Sequence, residues 1–92
     1  MYQNKPNPLN PSTIIKFDIP ALHEGAIEVS LTVFNFLGQK IITLYQGVVV
    51  AGTYEVKWNG LDQAGNKVPS GIYIYKIVSE NYSQSKRMTL VK

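Results

Sequence analysis

The chain has no cysteine and a single histidine, His23, beside Glu24 in a stretch without regular pattern. The first absence excludes a disulfide framework and a thiolate metal site. A lone loop imidazole without other nitrogen or sulfur donors makes a poor zinc site, so no metal is expected there. Charge is also scarce. Charged residues make up 16% of the sequence against 45% hydrophobic ones, which excludes a self-repelling disordered chain and leaves ample material for a core. The net charge is +3, and of the nine Lys and Arg only Lys86 and Arg87 are adjacent. There is no basic stripe to track phosphates, and nucleic acid is not an expected partner. No apolar run approaches the ~18 residues of a membrane span. The opening Met1-Tyr2-Gln3-Asn4-Lys5-Pro6 lacks the apolar segment of a secretory signal and fits an internal fragment given a start Met.

What is present is alternation. The 92 residues fit one domain with one core. Residues 1–12 hold Pro6, Pro8 and Pro11 among asparagines, a composition that cannot make helix and reads as linker or edge. Residues 13–92 form the domain proper. Ile15, Phe17 and Ile19 alternate with Lys16 and Asp18, predicting a strand stopped at Pro20. Ile27, Val29, Leu31 and Val33 predict a second, with Phe34 and Phe36 on its other face or displaced by a bulge. A third is expected from Lys40 to Gln46, although Ile41, Ile42 and Leu44 do not alternate cleanly. Val48-Val49-Val50 fits either a short edge strand or a loop. Further strands are expected at 53–59, 72–79 and 84–91, with Met88 and Leu90 facing in.

The stretch from Trp58 to Tyr75 organises the rest. Tyr54, Val56 and Trp58 end one strand; Tyr73, Tyr75 and Ile77 open the next on the same period. Between them, Asn59-Gly60, Ala64-Gly65-Asn66 and Pro69-Ser70-Gly71 are turn chemistry. The shared parity predicts Trp58 buried between sheets, and Gly71 is expected at positive φ or in close backbone contact. Short strands at this spacing, with no helical period, predict an all-β, immunoglobulin-like antiparallel β-sandwich of about seven strands without a disulfide.

Candidate chemistry is sparse. Asp18, Glu24, Glu28, Glu55, Asp62 and Glu80 lie in no motif that fixes a catalytic pair, so no enzyme is expected. Asp62-Gln63-Ala64-Gly65-Asn66 offers oxygens to calcium but lacks the acidic ligands of an EF-hand, and an Asx-type turn accounts for it better. Tyr45, Tyr54, Trp58, Tyr73, Tyr75 and Tyr82 raise a sugar platform. Their parity points most of them to the core instead.

Five motifs occur together: Pro6-Asn7-Pro8-Leu9-Asn10-Pro11-Ser12-Thr13, Val33-Phe34-Asn35-Phe36-Leu37-Gly38-Gln39, Ala51-Gly52 before Trp58-Asn59-Gly60, Gly71-Ile72-Tyr73, and the basic end from Lys86-Arg87 to Lys92. In these the chain resembles the type A C-terminal sorting domain of the type IX secretion system, also described as a hook-capping-like immunoglobulin-fold domain. It departs from that pattern at Lys5 and Leu9, where aromatics are common. The resemblance implies a noncatalytic export signal without cofactors, behind a larger cargo in the same polypeptide. It implies recognition by an outer-membrane translocon and its processing machinery, and delivery through the periplasm to the cell surface or medium. Pro6, Asn7, Pro8, Gly71, Tyr73, Lys86, Arg87 and Lys92 are then the candidate recognition residues. The alternatives are a structural spacer or assembly module and a carbohydrate-binding accessory module, the latter requiring an exposed aromatic row.

Overall fold

The computed structural model describes residues 12–21, 25–80 and 82–91. The described residues form six strands: β1 (Thr13–Ile19), β2 (Ile27–Asn35), β3 (Lys40–Val49), β4 (Gly52–Trp58), β5 (Gly71–Ser79) and β6 (Tyr82–Leu90). They make two antiparallel sheets, β1-β4 and β3-β2-β5-β6, an immunoglobulin-like sandwich in which two strands face four. The proline-rich segment expected as linker or edge lies outside the described residues, as does His23.

The alternation seen in sequence becomes the core. Ile15, Phe17 and Ile19 of β1 are buried, as are Val29, Leu31 and Val33 of β2, and Tyr73, Tyr75 and Ile77 of β5. A period of two puts each trio on one face, and burying each side chain contributes about 1.5–3 kcal/mol. Trp58 is fully buried, as its parity predicted. Within the small sheet Phe17 sits opposite Tyr54 and stacks on it, with ring centroids 5.5 Å apart. No buried side chain among the described residues is charged or polar.

Among the described residues the strands number six, against about seven expected, because β3 absorbs the run left open in sequence. It continues to Val49, which pairs with Ile27 and is buried. Two register shifts explain why its pattern is unclear. Leu31 faces Tyr45 while Thr32 faces Thr43, and Val33 faces Ile42 while Phe34 faces Lys40. Leu44 and Ile41 are therefore extra residues in bulges, and a bulge breaks the period of two. Ile41, Ile42 and Leu44 all come out half-buried. Phe34 is half-buried, whereas Phe36 projects from the turn at 72% exposure.

Successive strands reverse direction throughout. Thr13 pairs with Trp58, and Leu90 pairs with Gly71, two residues before the tyrosine that touches Trp58. The start of β1 and the end of β6 thus lie at the same end of the sandwich, beside the tryptophan.

Candidate functional site

At that end the chain builds a corner from residues 58–73. The Trp58 indole donates Nε1–H to the Leu61 carbonyl at 3.0 Å, and its ring meets Tyr73 edge-on. The Tyr73 hydroxyl donates to the Pro69 carbonyl four residues back at 2.6 Å. This is the tyrosine corner of immunoglobulin-like folds, a phenol tied to the backbone just upstream of its own strand. Burial disfavours the phenolate of Tyr73 and of Tyr75, so both phenols titrate above their ordinary value of 10.0.

The loop in between is held by Asp62. Its carboxylate oxygen Oδ1 accepts the Ala64 amide at 3.0 Å and the Asn66 amide at 2.9 Å, while Gly65 donates to the Asp62 carbonyl. This is the Asx turn expected from the sequence. Gly65 sits at φ +90°, a conformation costly to any residue with a Cβ. Among the described residues no three His, Cys, Asp or Glu side chains group to hold a metal. The neighbouring Gln63 reaches across to the edge of β3, where its amide donates to the Ile41 carbonyl and its Oε1 accepts the Thr43 amide. Gln63 carried no signal in sequence, since that contact depends on how the corner folds over a strand twenty residues away.

The turn between β2 and β3 repeats the logic. Asn35 Oδ1 accepts the amides of Leu37 and Gln39, at 3.0 and 2.9 Å, and Gly38 donates to the Asn35 carbonyl.

Of the candidate recognition residues, Gly71, Tyr73, Lys86 and Arg87 fall among the described ones. Pro6, Asn7, Pro8 and Lys92 lie outside the described residues. Gly71 has φ +158° at the head of β5, and nothing lies within 4 Å of where a Cβ would stand, so the close contact considered there is absent. Tyr73 is buried in the corner. Lys86 pairs with Tyr75 and Arg87 with Ile74, which sends the two basic side chains to opposite faces of β6. Lys86 takes the core-side parity on an edge strand, a placement that discourages edge-to-edge pairing. Nor is there a sugar platform among the described residues. Trp58, Tyr73 and Tyr75 are buried, Tyr54 and Tyr82 half-buried, and the exposed Phe36 and Tyr45 lie in different elements.

Tyrosine hydroxyls meet the small sheet at two points. Tyr75 donates to the Lys16 carbonyl at 3.2 Å, fastening β1 to β5, while the Tyr82 hydroxyl donates to Gln84 Oε1 at 2.8 Å and lies 3.4 Å from the Asp18 carbonyl. The profile of the FlgD Ig-like domain matches residues 11–83, from β1 through β5 to the first residues of β6. The chain belongs to the FlgD Ig-like domain family. FlgD is a flagellar hook capping protein. No curated protein and no solved structure compared with the chain matches it significantly.

Membership in the FlgD Ig-like family overturns the assignment to a type IX sorting domain, and with it the secretion-signal function. The physical reason lies in the motifs. Asn35 to Gln39 is a side-chain-stapled turn, Ala51-Gly52 joins the two sheets, and Trp58 and Gly71-Ile72-Tyr73 build the corner. In the structure these residues build the turns and the corner of the sandwich. The hook-capping half of the resemblance is the half that fits a FlgD Ig-like domain. No described helix is long and apolar enough to cross a membrane.

Proposed function

We propose that the chain is a noncatalytic structural module of the flagellar hook-assembly type. In this role it works outside the cytoplasm, joined to other domains of its own polypeptide. The family match over residues 11–83 carries the proposal. The use of the polar aromatic tips supports it: the Trp58 N–H and the Tyr73 and Tyr75 hydroxyls bond the domain's own backbone, which suits a part whose job is to hold a shape. Two of its carboxylates are engaged within the domain, Asp62 in a turn and Asp18 Oδ1 accepting the Thr53 hydroxyl.

The test is replacement. The chain is substituted for the Ig-like domain of a hook capping protein in a flagellated bacterium lacking the native copy, and hooks are counted by electron microscopy. Hooks capped and extended by the chimaera support the proposal. A chimaera that is exported and folded, yet leaves cells without hooks, sinks it.

A further inference from the structure

The two-on-four arrangement leaves β3 only partly covered. β1 is held to β5 through the Tyr75 hydroxyl, and on the far side of β4 the floor of the sandwich is β3, whose Val49 is buried while Tyr45 stays exposed. The gap is an apolar groove of about 180 Å³ between β4 and β3, lined by Phe17, Tyr45, Val49, Tyr54, Glu55 and Val56. Along its upper rim runs the second edge of β4, unpaired among the described residues. That edge has no proline and no bulge in its pairing with β1, and is guarded only by the charges of Glu55 and Lys57. The β3 edge is closed at Ile41 and Thr43 by Gln63.

We propose that the free edge of β4 accepts one extended peptide strand, running antiparallel and roofing the groove. Strand spacing of ~4.8 Å would place it directly over Tyr45 and Val49. Its chemistry follows from β4. Tyr54 and Val56 point toward the core, so the residues opposite them are apolar. Thr53, Glu55 and Lys57 are exposed on the other face; Glu55 already faces Lys16 of β1 at 3.6 Å, so the incoming strand sets a second basic residue beside Glu55 on its free side and an acidic one beside Lys57. A second copy of the chain offers the same charges: two β4 strands centred on Val56 would match Glu55 with Lys57 twice. The partly covered β3 forbids it, because a continuous sheet would drive the two β3 strands into one another in the same layer. A lone strand has no second layer to collide.

The experiment titrates the 15N-labelled 92-residue chain with a capped five-residue peptide reading glutamate, valine, lysine, valine, threonine, followed by backbone amide shifts. The expected result is saturable shifts at 53–57, 45 and 49, and binding at least about threefold weaker for the peptide with its two charged residues exchanged. In the double variant Glu55→Lys, Lys57→Glu that preference inverts. No shifts at millimolar peptide, shifts confined to β6, or equal binding of both peptides would each overturn the proposal. So would hydrogen exchange already slow at every amide from Thr53 to Lys57 without peptide, or concentration-dependent dimerisation through β4, since either shows the edge occupied by the chain itself or by a second copy. None of these readouts depends on hook assembly.

Discussion

The ring of Tyr73 stands edge-on to the indole of Trp58, with centroids 5.1 Å apart and planes inclined by 70°, across the corner where the chain turns from β4 to β5. Such a contact adds about 0.5–1.5 kcal/mol to the area both rings bury. Trp58 also holds the Leu61 carbonyl, so its removal opens a cavity and frees a backbone acceptor together. Trp58→Ala is expected to cost about 3–5 kcal/mol, read as a lower urea midpoint with an unchanged m-value. An unchanged midpoint would show that the corner does not depend on it.

Tyr73→Phe keeps the ring and removes only the bond to Pro69, so about 0.5–1.5 kcal/mol should be lost. If the hydroxyl matters by holding the corner, hydrogen exchange will accelerate at 60–70 more than at β2. Uniform acceleration would argue for a general loss of packing instead.

Alkaline pH should act through the same phenols. Tyr73 and Tyr75 titrate above 10.0 in the fold because burial disfavours the phenolate. Above pH ~10 the unfolded chain releases these protons while the folded chain keeps them, so stability is full below that value and falls as pH rises past it. Denaturant midpoints for the wild type and the Tyr73→Phe, Tyr75→Phe double variant will check this. The variant should lose less stability between about pH 9 and about pH 11.

Asp62 separates geometry from charge. Asp62→Asn retains an oxygen for the Ala64 and Asn66 amides and should be within about 0.5 kcal/mol of wild type, whereas Asp62→Ala should cost about 1 kcal/mol. Equal losses would mean that the carboxylate charge, not the turn, was the contribution.

Gly65→Ala tests the backbone itself. No atom lies within 4 Å of the added Cβ, so any loss comes from φ +90° alone. About 1–2 kcal/mol is expected by thermal melting. A neutral result would show that the loop relaxes to negative φ.

Much of this was legible because the period of two survives wherever one face is buried: β1, β2 and β5 were readable from Ile15, Leu31 and Tyr75 outward. β3 was not, since Leu44 and Ile41 occupy bulges and Val48-Val49-Val50 has no polar residue to mark a face. The corner was visible in its turn residues and in Trp58. The tie from Tyr73 to Pro69 could have been found from an aromatic placed four residues after a proline at a strand start. The pairing of β1 with β4, the hold of Gln63 on β3, and the groove could not, because they follow from which strands share a sheet. The motifs misled about role for the reason that made them informative about shape: turn and corner residues recur wherever the sandwich does.

Because Thr13 and Leu90 lie at one end, whatever precedes β1 and whatever follows β6 attach side by side. Tension applied between those attachments would not load the strands along their length. It would peel β1 from β4 and β6 from β5 starting at the tryptophan corner, straining hydrogen bonds one after another rather than all at once. Such tension would therefore open the domain from that corner, while its far end, at Ile19 and Ser79, stands clear of the line of pull.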